Sequence, residues 1–164
     1  MRIAYFNSHS ADRASAAVAE CAAIPRWVTA IVAARPFSSV ERLLEFAGNA
    51  ALCWSATDVA AGLAHHPRIG NAPTADDVGA EHSLREQASI TGGDADVSER
   101  IRRGNVAYEQ RFGRVFLIRA AGRSAEEILA QLEQRLENDP AAEEPIVARE
   151  LREIALLRLE RMFT

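Results

Sequence analysis

Val115-Phe116-Leu117-Ile118 is the run whose reading decides the fold, because it is the one stretch that reads convincingly as β. No second run offers it a partner, and a lone strand cannot make a sheet. It is therefore expected to be a buried extended segment, near 115–119, inside an otherwise helical chain. Upstream, Asp96 or Ser98 can open a helix with Ile101, Tyr108 and Phe112 on its apolar side. Gly113 stands where a helix C-terminus wants a left-handed residue. Downstream, Ser124 and Glu127 have capping-box spacing, and Ile128, Leu129, Leu132 and Leu136 carry that helix towards Asn138. Asp139-Pro140 breaks it. In the last helix Val147, Leu151, Ile154 and Arg158 fall on one stripe by i, i+4, i+7, i+11 spacing.

The N-terminal half reads the same way. An alanine-rich helix spans Ser10 to Ala23, and Pro25 can open the next one, where its missing N–H costs nothing. Trp27, Val28, Ile31 and Val32 give that helix an apolar face, and Pro36 ends it. Ser38 with Glu41 suggests a capping box before Leu43, Leu44 and Phe46, with Gly48-Asn49 as a helix end or break. Thr57-Asp58 can cap a short helix bearing Val59 and Leu63. The expectation is a single compact all-α domain over 1–164.

Composition narrows the function. The 164 residues suffice for one domain with a real core. A net charge of −4 gives no general attraction to nucleic acid or anionic membrane, and neither is an expected partner. All the cationic side chains of the Lys/Arg class are arginine, which excludes a Schiff-base lysine and pyridoxal phosphate held in the usual way. Cys21 and Cys53 form no metal-type pair and read as two buried thiols of a reducing compartment. No apolar run reaches the ~18 residues of a membrane span. With no signal-type N-terminus and no peroxisomal address at Arg161-Met162-Phe163-Thr164, a soluble cytoplasmic protein is expected.

The chemistry concentrates at His66-Pro67-Arg68-Ile69-Gly70. Pro67 disfavours helix at His66, and Gly70 permits a backbone path other residues resist. After a loop with Asn71 and Pro73, Ser83, Glu86 and Gln87 fall at i, i+3 and i+4, on one face of a helix that Thr91-Gly92-Gly93 would close. A titratable ring on a stiff turn beside such a stripe could form an acid–base pocket, with Glu86 orienting His66 or raising its pKa. The plainer readings are a structural histidine and a solvated helix face. Arg158 lies on an apolar stripe, unlike Arg149, Arg152 and Arg161, so it needs an acidic partner or a bound anion. A metal-assisted hydrolase using His66, His82 and Glu86 is an alternative without a signature motif. A Ser83–His66–Glu86 hydrolase lacks a GxSxG elbow. No glycine-rich piece forms a nucleotide-binding loop.

The His66-to-Gly70 turn followed by Ser83-x-x-Glu86-Gln87 resembles the signature of the decarboxylases of 2-oxo-4-hydroxy-4-carboxy-5-ureidoimidazoline (OHCU), which act in uric acid breakdown. The likeness extends through Pro25-Arg26-Trp27, Asn105-x-x-Tyr108-x-x-x-Phe112-Gly113, Phe116-Leu117-Ile118, Gly122-Arg123-Ser124, Arg135-Leu136-x-Asn138 and Ile154-x-x-x-Arg158-Leu159. Ala88 departs from a common glycine, and the alanine-rich stretch 14–23 matches loosely. The resemblance implies an all-helical, cofactor-independent lyase, with no metal, that converts OHCU to (S)-allantoin. It implies His66 and Glu86 as catalytic residues. It implies substrate contacts from Pro67, Ser83, Gln87, Arg158 and the main chain at Phe116 and Ile118. It also suggests a homodimer. The reading from another class is a non-enzymatic helical binding module whose pocket residues are relics.

Overall fold

The computed structural model describes residues 1–64, 66–70 and 94–164. Among them the chain forms eight helices and no strand: α1 Ile3–Ser8, α2 Ala11–Ala19, α3 Pro25–Ala33, α4 Val40–Ala51, α5 Ala56–Leu63, α6 Ala95–Phe112, α7 Ala125–Leu136 and α8 Pro140–Arg161. The all-α expectation holds. Contacts divide the chain into two compact units, Met1–Ala64 with Leu151–Thr164, and His65–Glu150. Helix α8 thus contributes residues 140–150 to the second unit and 151–161 to the first.

In the first unit α2 packs on α3 and α3 on α4. Pro25 occupies the first turn of α3, as its fixed φ favours. Trp27 is 2% exposed and its indole N–H donates to Ala47 O at 2.9 Å, so the large ring is buried without an orphaned donor. Gly62 permits a close approach, because a Cβ there would fall 2.8 Å from Leu151 Cδ2. On α8 the stripe Val147, Leu151, Ile154 and Arg158 is buried throughout, as its spacing predicts.

Helix ends show where local reading stops. Ser10 caps α2, and Ser124 with Glu127 forms the expected capping box on α7. Three other starts differ from expectation. Ser39, not Ser38, caps α4, because its hydroxyl is the one that reaches the Arg42 N–H. Ser55, not Thr57, caps α5, in a reciprocal capping box with Asp58. Asp94, rather than Asp96 or Ser98, caps α6 by accepting from the Asp96 N–H. Gly48-Asn49 does not end α4, which continues to Ala51 because the turn there is held by helical hydrogen bonds and Gly48 meets Leu156 at ordinary contact distance. Cys21 is buried as expected, whereas Cys53 is exposed in the turn after α4.

The second unit is built on α6 packed against α7. Gly104 lets α7 come close, since a Cβ there would meet Leu132 Cδ2 at 2.5 Å. Its core joins Ile101, Tyr108, Phe116, Ile118, Ile128 and Leu132, together with Ile69 from the His66 turn. Gly113 ends α6 at φ 66°, the left-handed position expected of it.

Candidate active site

The turn carrying His66 and Pro67 is fixed by one face of α6. Ile101, Asn105 and Glu109 recur every four residues along that helix. Ile69 is 6% exposed and belongs to the same core cluster as Ile101. Asn105 donates through Nδ2 to Ile69 O at 2.8 Å. Arg68 grips Glu109 with both Nε and Nη2, a bidentate pair, and Nη2 lies 2.7 Å from Oε2. The Arg68 guanidinium holds the Glu109 carboxyl below the usual carboxylate range. Gly70 has φ 81°, the left-handed path that a side chain would resist. His66 and Pro67 are both half-buried on this turn.

In the run at 115–118, Phe116, Leu117 and Ile118 are buried and Val115 is half-buried, and the run belongs to no helix or strand, as expected. Its polar backbone is served by charged side chains instead of a neighbouring strand. Arg135 Nη1 donates to Leu117 O at 2.8 Å, and the Arg119 N–H donates to Glu150 Oε2 at 2.9 Å. Arg135 is itself held by Glu143, with Nε 2.8 Å and Nη2 2.6 Å from Oε1. Its guanidinium stacks 4.6 Å from the centre of the Phe116 ring. Tyr108 donates its hydroxyl to Glu143 Oε1 and Asn138 donates to Oε2 at 2.8 Å. Burial and the neighbouring Glu143 raise the Tyr108 pKa, so the phenol stays a donor. No hydrogen bond joins the main chain of Phe116 or Ile118 to another described residue.

The structure thus places His66, Pro67, Phe116 and Ile118 in the second unit, and the turn and the segment share one core through Ile69. Arg158 belongs to the first unit, where it is 2% exposed. Ser83, Glu86 and Gln87 lie outside the described residues, as does His82 of the metal alternative. Among the described residues no group of three or more His, Cys, Asp or Glu is arranged to hold a metal ion. No described helix is long and apolar enough to cross a membrane.

Arg135, Glu143 and Glu150 were not singled out as polar core residues from sequence, although a signal was present. Arg135 continues the stripe of Ile128 and Leu132, and Glu143 and Glu150 alternate with Val147 and Ile154 at i, i+4, i+7, i+11. The reasoning that marks Arg158, a charge on an apolar stripe needing a partner, applies equally to all three.

Together these features define an all-helical protein in which a non-helical, buried segment is held by ionic anchors beside a histidine-bearing turn. The chain belongs to the OHCU decarboxylase family, whose model matches residues 7–160. It is 42% identical over 74 residues to the 2-oxo-4-hydroxy-4-carboxy-5-ureidoimidazoline decarboxylase of Amia calva, a match covering 45% of this chain and 42% of that protein. It is 34% identical over 111 residues to the uric acid degradation bifunctional protein TTL of Arabidopsis thaliana, covering 66% of this chain and 34% of that protein. These matches therefore span less than half the length of either relative. A crystal structure of OHCU decarboxylase in the presence of (S)-allantoin superposes with a TM-score of 0.74 at 26% identity, covering 87% of this chain and 94% of that one. The fold is also that of an (S)-allantoin synthase structure, with a TM-score of 0.70, 15% identity, and 97% and 53% of the two chains covered.

Proposed function

We propose that this chain decarboxylates OHCU to (S)-allantoin, a carbon–carbon lyase reaction that needs no cofactor, with His66 and Glu86 as its catalytic pair. The observation that carries the reading, in a member of this family, is the buried segment at 115–118. The main chain at Phe116 and Ile118 is shielded from water and lacks a partner among the described residues. Buried N–H and C=O groups demand hydrogen bonds. A ring made of amide-like groups and bearing a ureido arm offers complementary donors and acceptors.

The substrate explains why no cofactor is needed. Loss of CO2 leaves an electron pair on the carbon that carried the carboxylate. The adjacent ring C=N accepts that pair, forming a carbon–carbon double bond while the nitrogen takes a proton. The hydroxyl on the first carbon then gives up its proton to become a carbonyl, and the neighbouring carbon receives a proton on one face. His66 serves as general acid–base at the hydroxyl. Glu86 orients His66 and hydrogen-bonds the ureido side, while Ser83 and Gln87 fix the ring plane and Pro67 packs beside it. Arg158 binds an oxygen on which charge persists or builds up. Gripping the departing carboxylate equally in ground and transition states would not speed the chemical step.

The test uses OHCU generated in situ from urate by urate oxidase and hydroxyisourate hydrolase, with the circular dichroism of allantoin as readout. Wild-type protein is expected to give a single enantiomer quickly. His66→Ala should fall by about 10²–10⁴-fold in rate while keeping its fold. Racemic product at the uncatalysed rate from wild type would refute the activity and favour a binding module. A near-normal rate in folded His66→Ala would refute the residue's role.

A further inference from the structure

The anchors of the buried segment come from two different helices and act on alternate residues. Arg135 of α7 takes Leu117 O, and Glu150 of α8 takes the Arg119 N–H. Leu117 and Arg119 are two apart, and in an extended backbone groups at that spacing share one edge. Phe116 and Ile118 have the opposite parity, which turns their N–H and C=O groups to the other edge. There the main chain meets no described partner.

Such anchoring is more than burial requires. An ionic group in a core is often no more stabilising than a well-packed apolar one. Its distinctive effect is geometric. Arg135 is 3% exposed and is fixed from three sides, by Glu143, by Leu117 O and by the Phe116 ring. Glu150 is 4% exposed, and its other oxygen faces Arg149 Nη2 at 3.3 Å. Neither side chain can swing without orphaning a buried charge, so one edge of the segment is held in a single register.

We propose that Arg135 and Glu150 are positioning residues: by holding Leu117 O and the Arg119 N–H they present the main chain of Phe116 and Ile118 as a rigid template for the amide groups of the substrate. This rests on the proposed OHCU reaction. The template contacts parts of the substrate remote from the bond that breaks, so it strengthens ground-state and transition-state binding alike. Its loss is read in KM more than in kcat.

The experiment compares Glu150→Leu, Glu150→Gln and Arg135→Lys in the full chain by steady-state kinetics on OHCU generated in situ. Glu150→Leu removes the acceptor for the Arg119 N–H, and Glu150→Gln retains one. Arg135→Lys keeps a cation for Glu143 but gives up the forked reach to Leu117 O. Glu150→Leu and Arg135→Lys should raise KM by about ten- to a hundredfold, the loss of one or two well-placed hydrogen bonds. Glu150→Gln should restore KM to within about threefold of wild type. A merely structural role would lower the active fraction, and so apparent kcat, with KM unchanged; that result in a folded variant overturns the proposal. If Glu150→Leu does not fold, Arg135→Lys decides. Wild-type protein without turnover refutes the proposed reaction and this inference with it, whereas wild-type turnover with unchanged KM in the variants refutes the inference alone.

Discussion

Glu143 is the residue whose removal tests the buried network most severely. It is 0% exposed and its two oxygens accept from Arg135, Tyr108 and Asn138. Glu143→Ala leaves the Arg135 guanidinium buried without its counter-charge, which costs about 3–5 kcal/mol. The Tyr108 hydroxyl, on a residue that is 0% exposed, loses its acceptor as well, adding up to about 1–3 kcal/mol. Domains of this size are stable by roughly 5–15 kcal/mol, so the variant should sit near the limit of folding. Urea unfolding followed by tryptophan fluorescence and far-ultraviolet circular dichroism is the assay. With a slope of about 2 kcal/mol per molar, the midpoint should fall by roughly 2–4 M. The companion measurement is a double-mutant cycle with Glu143→Leu and Arg135→Met. Replacing both partners by apolar groups removes the uncompensated charge, so the double variant should lose at least about 2 kcal/mol less than the sum of the singles. A loss under about 1 kcal/mol for Glu143→Ala, or strict additivity in the cycle, would refute the reasoning that this carboxylate neutralises a buried cation.

Two glycines in helices should respond to alanine with opposite signs. Gly48→Ala places its Cβ 3.6 Å from Leu156 Cδ1, an ordinary contact, so the helix-propensity gain of about 0.5–1 kcal/mol should appear as a higher thermal midpoint. Gly104→Ala drives a Cβ to 2.5 Å from Cδ2 of the fully buried Leu132, and overpacking of about 1–3 kcal/mol should outweigh the same gain. The Arg68–Glu109 pair should give acid-dependent support to the His66 turn. Because the folded-state pKa of Glu109 is depressed, its contribution is fully present above the ordinary carboxylate value of 4.5 and is lost as pH falls below that value through the folded one. The difference in thermal midpoint between wild type and Glu109→Gln should therefore shrink between pH 6 and pH 3, read by scanning calorimetry; a difference that does not change with pH would count against the pair. That window brackets the ordinary carboxylate pKa by about one to two units on either side.

Much of the fold was legible because helices are local. The spacing of Val147, Leu151, Ile154 and Arg158, proline at the start of α3, the Ser124–Glu127 box and Gly113 at the end of α6 are each written within a few residues of chain, and the structure agrees with all of them. That no strand forms among the described residues was legible for the same reason, since Val115-Phe116-Leu117-Ile118 had no partner run. Which of two hydroxyls one or two residues apart caps a helix was not. Ser39 and Ser55 displaced Ser38 and Thr57 because capping depends on which oxygen reaches a particular N–H, a matter of ångströms that composition does not encode.

The candidate site divides along the same line. From sequence came a histidine on a stiff non-helical turn, through Pro67 and Gly70, and an arginine on a buried stripe at Arg158. Both are visible locally, as a proline that breaks helix and a charge out of pattern. The tertiary structure decided what holds these pieces. Arg68 finds Glu109 and Ile69 O finds Asn105 across 41 and 36 residues of chain. Leu117 O and the Arg119 N–H are taken by Arg135 and Glu150 across 18 and 31. A buried backbone group needs a partner, which sequence alone can assert. Its identity depends on which helix face packing brings within about 3 Å, and that is settled only when the core closes.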